Sequence, residues 1–337
     1  MSSEGFTVMF DYYRSWGRVA RRAYQEGLNV EIPSSYYAAR KILFCGMGGS
    51  GIAGLYAHHI LKSTGARIAS DFANAHRCGP WVDRTTLVFA ISFSGNTTET
   101  LQCAADAGQR GAKIVFVSRG GAMEDVARER GYVFLRVPEA PAPRAGLPGL
   151  LYSVLGALVS MNILNPIEAG VDDSIDMLSN EAREAVDYAE AYSATLYKAR
   201  GNPLIVATGF SIAPVALRAK NEFAENAKLP SYIGVFPESG HNDIEAWSRL
   251  ERKTFLAIRS GEPFEEATID AAIETVRPTT LVEIKARSSK PLVALMWPTW
   301  IIGLVSLILA DMMGVDAFNI PSITRFKRAL KSRVEHA

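Results

Sequence analysis

The segment KILFCGMGGSGIAG, residues 41–54, indicates the fold of this chain. Its apolar residues Ile42–Cys45 are typical of a buried strand, and the run Gly46–Gly51 allows a sharp turn. We predict that a helix, Ile52–Leu61, follows, so that the segment forms a strand–turn–helix unit. The unpaired N–H groups at the start of such a helix bind anions, and Ser50 adds a hydroxyl.

The same succession of a short strand and a helical stretch recurs along the N-terminal half. We predict four strands there: Lys41–Cys45, Arg67–Ser70, Thr86–Ile91 and Lys113–Val117. Strands that alternate with helices form parallel βαβ units, because each helix carries the chain back across the sheet. The sequence therefore predicts an α/β fold with a doubly wound parallel sheet flanked by helices.

The pattern begins again in the C-terminal half. Residues 204–216 (LIVATGFSIAPVA) resemble residues 42–54, and residues 254–268 (TFLAIRSGEPFEEAT) resemble residues 86–101 (TLVFAISFSGNTTETL). This internal repeat predicts two copies of one α/β domain, in which the second copy has lost serines and glycines. We therefore expect the first copy to bind phosphate.

The repeat also predicts how the chain is divided. We expect an N-terminal domain over residues 1–170 and a C-terminal domain over residues 201–337, which ends in a helix. Between them, residues 171–200 have helical spacing and no turn residues from Ser179 to Ala199. We predict one long connecting helix there.

A second loop, SFSGNTTET at residues 92–100, follows another of these strands. Ser92, Ser94, Thr97 and Thr98 provide hydroxyls that, with free backbone amides, suit a phosphate monoester. The alternative is an ordinary helix N-cap completed by a glutamate, but a cap uses one hydroxyl and this loop has more.

The first loop by itself has three interpretations. Residues 46–51 match the dinucleotide fingerprint GxGxxG, and Asp71 lies where that fingerprint places an acidic ribose partner. A sugar phosphate or a tight turn fits the loop equally well. Both loops together favour a phosphate, since the carboxyl ends of parallel strands meet at one edge of a sheet. We expect phosphate to be bound by Gly48, Gly49, Ser50, Ser92, Ser94 and Thr97.

A predicted helix near residue 222 carries two candidate acids, Glu222 and Glu225, which share one face. For Glu222 we favour a solvated surface on which Lys220 and Lys228 are ion-pair partners. Glu225 stands beside an asparagine and an alanine that are unusual on such a surface. The residues alone do not decide between them as a catalytic base.

Three further side chains are candidates for the chemistry. His241 lies in a polar turn and can move protons near neutral pH, although a structural turn histidine is an equal alternative. Arg144, in a Pro-containing turn, suits an oxyanion but could equally cap a loop. Lys327 lies in a basic amphipathic tail, for which a solvated face is the ordinary interpretation.

Composition excludes several classes of protein. Lys plus Arg total 36 and Asp plus Glu total 35, so no charge bias would attract nucleic acid or an anionic membrane. Cys45, Cys78 and Cys103 show neither CxxC nor Cys/His spacing, which predicts no disulfide framework and no metal site, with Cys45 in the core. The cysteine content and the lack of a secretory pattern at the start favour a cytoplasmic protein.

An uncharged run, Leu292–Ala310, requires a comparison with membrane spans, which need roughly 20 apolar residues. We predict that Pro298 is the first residue of a shorter helix that ends near Met313. A helix that is apolar on all sides lies in a core or a subunit interface, and Leu150–Leu164 has the same character. These two helices lead us to expect a homodimer and no membrane contact.

Five motifs together resemble the bifunctional phosphoglucose/phosphomannose isomerases of the archaeal type, which are built from two sugar isomerase (SIS) domains. In chain order they are GMGGSG (46–51), SFSGNTTETL (92–101), APRAGLP (142–148), KNEFAENAK (220–228) and PESGHNDIE (237–245). The resemblance extends from about Lys41 to Arg333. It implies two SIS-type doubly wound domains and an aldose–ketose isomerase that needs no cofactor and no metal.

The resemblance also implies a role for each candidate. Glu225 would be the base that moves a proton between the first two sugar carbons of a hexose 6-phosphate. Arg144 would stabilise the enediolate, and Lys327 would assist at the ring oxygen. His241 would help to open the ring and would come from the neighbouring subunit. Ile320 stands where the family can have a threonine credited with accommodating mannose, so glucose and mannose are not ranked.

Two other classes of function stay open beside the isomerase. A non-catalytic SIS module that senses a sugar phosphate would keep both loops without needing Glu225, His241 and Arg144 together. An oxidoreductase that uses a nicotinamide cofactor would use residues 46–51 as a dinucleotide loop.

Overall fold

The protein is described here from a computed structural model that covers residues 4–334, and it contains two parallel β-sheets. The strands of the first sheet are β1 (Lys41–Gly46), β2 (Ala69–Ala73), β3 (Thr86–Ile91), β4 (Lys113–Ser118) and β5 (Val133–Arg136). The strands of the second sheet are β6 (Leu204–Gly209), β7 (Ser231–Phe236), β8 (Thr254–Arg259) and β9 (Thr280–Lys285).

Helices pack around both sheets. Those in the N-terminal half are α1 (Glu4–Arg14), α2 (Trp16–Leu28), α3 (Gly48–Ser63), α4 (Thr98–Gln109), α5 (Ala122–Arg130), α6 (Leu147–Ser160), α7 (Pro166–Ala169), α8 (Val171–Asn180) and α9 (Ala182–Lys198). Those in the C-terminal half are α10 (Ala213–Glu225), α11 (Asp243–Ser248), α12 (Pro263–Val276), α13 (Pro291–Met312) and α14 (Pro321–Val334).

The two sheets share one topology, which confirms the α/β fold class and the internal repeat. The strand orders are β2-β1-β3-β4-β5 and β7-β6-β8-β9, and all strand pairs are parallel. In the first sheet β1 and β3 are neighbours, and in the second sheet their counterparts β6 and β8 are neighbours. Strand order reverses between them, and such a switch point forms a crevice at the carboxyl ends of the strands.

One apolar core joins the two sheets. It contains Phe44 and Phe89 of the first sheet, Leu256 of the second sheet, and most of α13. Because both sheets pack on shared helices, their carboxyl edges hold fixed positions relative to each other. The domain boundaries near residues 170 and 200 stay predictions.

The structure corrects the predicted start of the first helix. Helix α3 begins at Gly48, not at Ile52. The glycines predicted to form a free loop therefore make the first turn of the helix. Gly48 has φ +54°, a conformation that favours glycine because it lacks a Cβ.

The predicted connecting helix is wrong in one respect. Residues 171–200 form two helices, α8 and α9, that are separated at Glu181. Glu181 has φ −105° and ψ 18°, outside the helical range. Its carboxylate forms an ion pair with Arg287, which follows β9, the last strand of the second sheet, in the chain. This tertiary contact is not visible in local sequence spacing.

The structure also corrects the helix around Pro298. Helix α13 begins at Pro291, and Pro298 lies inside it. A proline inside a helix removes one backbone hydrogen bond, but burial of the apolar run on every side favours a continuous helix. Within the described residues, α13 is the one helix long and apolar enough to cross a membrane, and its apolar window is 94% buried.

The two apolar helices no longer argue for a dimer. Both α6 and α13 are buried within their own chain, so neither needs a partner subunit to cover it. The homodimer therefore depends on the family resemblance alone. Cys45 is buried as predicted, and Cys78 and Cys103 are buried free thiols as well.

Candidate active site

A pocket of about 440 Å³ opens at the carboxyl edge of the first sheet. Five parts of the chain line it: the start of α3, the loop between β3 and α4, the turn before α6, the end of α10, and α14. The predicted site residues among its lining are Gly48, Gly49, Ser50, Ser92, Ser94, Thr97, Arg144, Glu225 and Lys327. Asp71, the candidate ribose partner, lies on edge strand β2 outside this lining.

The first turn of α3 faces the pocket with free backbone donors. Met47 is its N-cap residue and makes no side-chain capping bond. The first intrahelical bond runs from Gly51 N to Met47 O at 3.0 Å, so the N–H groups before Gly51 are not used in the helix. These donors and the positive end of the helix dipole together suit a phosphate.

The serine-rich loop is organised by its own hydroxyls. Ser92 Oγ and Thr97 Oγ1 lie 2.8 Å apart, and Phe93 N donates to Ser50 Oγ at 2.9 Å, which joins the two loops. Thr97 is the N-cap residue of α4 but makes no side-chain capping bond. The loop therefore lacks the side-chain cap bond that an ordinary N-cap would make, and Ser92, Ser94 and Thr97 line the pocket.

Arg144 lies beneath the pocket and is 2% exposed. Its Nε donates to Asn226 Oδ1 at 2.5 Å and its Nη2 donates to Ala317 O at 2.5 Å. The remaining Nη1 lies 3.4 Å from Glu225 Oε2. A guanidinium held on two sides keeps one edge for the pocket, where it can stabilise an oxyanion.

Glu225 is the last residue of α10, and its side chain is 22% exposed. Burial raises the pKa of the Glu225 carboxyl above its ordinary value, and the Arg144 guanidinium opposes that rise. Nearby Glu222 raises the pKa further. A base of raised pKa that still reaches the pocket suits proton abstraction next to a carbonyl.

The interpretation of Glu222 as part of a solvated face is wrong. Its side chain is 0% exposed and forms an ion pair with Arg218, one helical turn earlier. Tyr13 Oη donates to both carboxylate oxygens, at 2.9 and 3.0 Å. Lys228 donates instead to the backbone oxygen of Glu225. A carboxylate with this many donors is fully hydrogen-bonded inside the core, so Glu225 is the acid that faces the pocket.

Asn226 connects the buried ion pair to the pocket. Its Nδ2 donates to Glu222 Oε2 at 2.6 Å and to Ser306 Oγ at 2.8 Å, while its Oδ1 accepts from Arg144 Nε. Arg218 also donates to the backbone oxygen of Arg144 at 2.6 Å. The position of Arg144 is therefore fixed by a network that lies below the pocket floor.

Helix α14 forms the outer wall of the pocket. Ile320 precedes it, and Ile323, Phe326 and Lys327 of the helix line the cavity. Lys327 is exposed, and its charge lowers the pKa of Glu225. The Ile320 side chain places an apolar surface in the pocket, near the charged groups.

His241 is the one predicted catalytic residue that the structure does not bring to this pocket. It lies in the turn Glu238–His241 after edge strand β7, and its side chain is exposed. Within one chain, the lining of the pocket contains both predicted phosphate loops, Arg144, Glu225 and Lys327 but no histidine. Among residues 4–334, no group of three or more His, Cys, Asp or Glu side chains could hold a metal ion.

A bifunctional phosphoglucose/phosphomannose isomerase of Aeropyrum pernix is 31% identical to this sequence over 96% of this chain and 98% of that protein. The chain belongs to the bifunctional phosphoglucose/phosphomannose isomerase family. Two family models match within it: the SIS domain at residues 35–160 and the bacterial phospho-glucose isomerase C-terminal SIS domain at residues 185–330.

Other relatives of this isomerase family show how widely the fold is used. A D-glucosamine-6-phosphate 4-epimerase of Sulfolobus acidocaldarius is 27% identical over 95% of this chain and 97% of that protein. A hypothetical protein of Thermus thermophilus, with 13% identity, superimposes with a TM-score of 0.74 over 98% of this chain and 91% of that protein. The structural likeness shows that the two proteins share a fold.

The sequence did not reveal the residues that support this isomerase-family site. Tyr13, Arg218 and Ser306 surround Glu222 but belong to three separate helices. Asn226 did give a signal, since an asparagine beside Glu225 is unusual on a solvated surface. A charged pair spaced four residues apart, such as Arg218 and Glu222, is ordinarily read as a surface pair.

Proposed function

We propose that this protein interconverts fructose 6-phosphate with glucose 6-phosphate, and with mannose 6-phosphate, through a cis-enediolate. The observation that carries the proposal is the convergence of two phosphate loops, Arg144 and Glu225 on one pocket of about 440 Å³. Its size suits a small ligand with a phosphate at one end and reacting carbons at the other.

The proposed chemistry begins with the open-chain sugar. The backbone donors of Gly48 and Gly49 and the hydroxyls of Ser50, Ser92, Ser94 and Thr97 bind the 6-phosphate. The Glu225 carboxylate removes a proton from the carbon next to the carbonyl and returns it to the neighbouring carbon. Arg144 stabilises the enediolate oxygen between these steps. Lys327 acts at the ring oxygen during ring opening.

We further propose a cytoplasmic homodimer in which His241 of the partner subunit completes each site. Support comes from the exposure of His241 and from its position outside the pocket of its own chain. Two inactive variants test this, Glu225→Gln and His241→Ala, unfolded and refolded together. In mixed dimers one of the two sites is intact, so about one quarter of wild-type activity should return. A mixture as inactive as its components contradicts the shared site.

Incubation with fructose 6-phosphate and no cofactor tests the activity itself. Formation of glucose 6-phosphate, with mannose 6-phosphate separated as a second product, supports the isomerase. Sugar that binds but stays unchanged supports the sensing module instead, and a nicotinamide absorbance in the purified protein supports the oxidoreductase. Glucosamine 6-phosphate, incubated in parallel, tests for the reaction in the name of the Sulfolobus relative.

A further inference from the structure

The carboxyl edge of the second sheet repeats the plan of the phosphate site. Ser92 is the first residue after β3, and Ser260 is the first residue after β8. In the same way, Ser50 follows β1 closely and Ser211 follows β6 closely. Two serines from equivalent loops therefore meet at the second switch point.

A carboxylate fills the space between these serines. Glu265 Oε1 accepts a bond from Ser211 N at 2.6 Å, and Glu265 Oε2 accepts bonds from Ser211 Oγ and Ser260 Oγ, each at 2.6 Å. The residue is 8% exposed. One backbone amide and two hydroxyls are the kind of donor set that binds phosphate oxygens.

The backbone beneath Glu265 is shaped for this contact. Gly209 ends β6, and a Cβ added there would lie 2.1 Å from Glu265 Oε2. Glycine at this position lets the carboxylate reach the strand edge, as glycines elsewhere let a ligand approach the backbone closely. The combination of a glycine, a backbone amide and two hydroxyls, all directed at one carboxylate, forms an anion cradle.

Local sequence explains how Glu265 enters this cradle. The loop between β8 and α12 spans residues 260–262 and is shorter than its counterpart, residues 92–97. The first turn of α12 therefore lies closer to the strand edge. Glu262 caps α12 by accepting from Glu265 N at 2.8 Å, which fixes the backbone from which the Glu265 side chain projects.

We propose that the Glu265 carboxylate is a built-in anion that occupies the second domain's counterpart of the phosphate site. Each chain then binds one sugar phosphate, at its first sheet, and none at its second. A phosphate and the Glu265 carboxylate would compete for the same hydrogen-bond donors. Both are negatively charged, so they would also repel each other. The inference rests on the proposed function only in its use of the first edge as the phosphate site.

Space for a phosphate is present once Glu265 is removed. A cavity of about 600 Å³ adjoins the cradle and is lined by Ser211, Ser260, Glu262, Arg287 and Ser288, among others. Arg287 also pairs with Glu181 and Glu184, so its charge is shared. The cavity gives a phosphate in solution a route to the two serines.

Calorimetric titration of the full chain with inorganic phosphate tests the inference. The Glu265→Ser variant should bind one more phosphate per chain than the wild type. Glu274→Ser is the matched control, because Glu274 lies exposed on the same helix and its loss changes the charge equally. A folded Glu265→Ser protein with the same number of phosphates as the wild type overturns the proposal.

A second measurement covers a variant too unstable for titration. A bound ligand raises the melting temperature of the folded protein. Phosphate should therefore raise the melting temperature of Glu265→Ser more than that of the wild type, relative to chloride at equal ionic strength. An equal rise in both proteins contradicts the proposal. Further removal of the Ser211 hydroxyl, in Glu265→Ser/Ser211→Ala, should weaken the added binding about tenfold.

The titration also separates this inference from the proposed function. If the first edge binds no phosphate, the wild type binds none and Glu265→Ser binds one. In that case the proposed sugar-phosphate site fails while the role of Glu265 stands. If the count rises from one to two, both hold.

Discussion

At the first sheet, helices α3 and α4 begin without side-chain caps, and their free donors face an open pocket. At the second sheet, α12 is capped by Glu262, and Glu265 takes the donors of the neighbouring loops. Both edges have the same strand order. The difference indicates that a duplicated fold keeps its crevice while a single acidic side chain decides whether the donors there are free.

The two edges also hold their carboxylates differently. Glu225 lies partly exposed beside Arg144, with few partners. Glu265 is buried and accepts bonds from three donors. A reactive base has to exchange its proton with the substrate, so its carboxylate must be reachable from the pocket. A buried structural carboxylate instead needs hydrogen-bond donors for both of its oxygens. We therefore expect substitutions at the two positions to have opposite consequences.

The largest expected effect is on Glu225. The Glu225→Gln variant should lower kcat for fructose 6-phosphate on the order of 10²–10⁴-fold, because the amide cannot accept the proton. Binding of inorganic phosphate should stay near the wild-type level. At the other edge, Glu265→Gln should keep kcat and lose about 1–3 kcal/mol of stability, measured by urea unfolding. Turnover of Glu225→Gln near the wild-type rate contradicts its role.

A large effect on stability is expected at Glu222, which supports the first edge from below. The Glu222→Gln variant leaves the buried Arg218 without its ion-pair partner and should lower the free energy of unfolding by about 3–5 kcal/mol. Glu245 provides the control, since it pairs with Arg249 at the same spacing but on the surface. Equal losses of stability in Glu222→Gln and Glu245→Gln would refute the buried ion pair as a support.

An intermediate effect distinguishes the serines of the two edges. Ser92→Ala should reduce kcat/KM about tenfold, because one hydrogen bond to a charged phosphate is lost. Ser260→Ala removes the equivalent hydroxyl at the second edge, where Glu265 is its partner, and should leave kcat/KM unchanged. Steady-state rates with fructose 6-phosphate measure both. A comparable reduction in Ser260→Ala would show that the second edge takes part in the reaction.

The smallest effect concerns the pH profile of kcat. The base must be ionised to act, so kcat should fall on the acid side of the pH profile as Glu225 becomes protonated. Because the pKa of Glu225 is raised, this fall should lie at higher pH than for an ordinary glutamate. Lys327 lowers that pKa, so Lys327→Met should move the acid limb slightly to higher pH. Arg325→Met, on the same helix, is the control for a general change of charge. A shift to lower pH contradicts the electrostatic effect of Lys327 on Glu225.

The same pKa has a consequence for stability. A carboxyl whose pKa is raised on folding favours the protonated form in the folded state. Its contribution to stability is therefore greatest at low pH and is lost as pH rises through the folded pKa. The pH dependence of unfolding in Glu225→Gln, which lacks this titration, should be flatter over that range.

Much of the first edge could be predicted from its sequence. The glycines and the cluster of hydroxyls lie within short segments, and each segment follows a strand that is recognisable by its apolar run. Strands of a doubly wound sheet bring such segments to one edge, so the positions of these two loops could be predicted without knowledge of distant contacts. Glu225, Arg144 and Lys327 were identified by resemblance, and the fold brings all three to the same pocket.

The support of the site could not be predicted in this way. The sequence predicts that Glu222 is a surface residue, because its spacing from basic residues is typical of an exposed helix. Its burial follows from the packing of α10 against α1 and α13, which bring Tyr13 and Ser306 to it. The sequence also gives no sign of the role of Glu265, because an acid in the first turn of a helix ordinarily interacts with its own helix dipole.

The sequence by itself determined the two-sheet α/β fold, its internal repeat and the positions of the glycine- and serine-rich loops, because these depend on local periodicity and on turn chemistry. The tertiary structure alone decided which acid faces the pocket and at which edge the donors already have a carboxylate partner. Those outcomes depend on side chains far apart in sequence that share one buried space, and on whether donors there already have a partner. Glu222 and Glu265 are satisfied inside the chain, and Glu225 is left for the substrate.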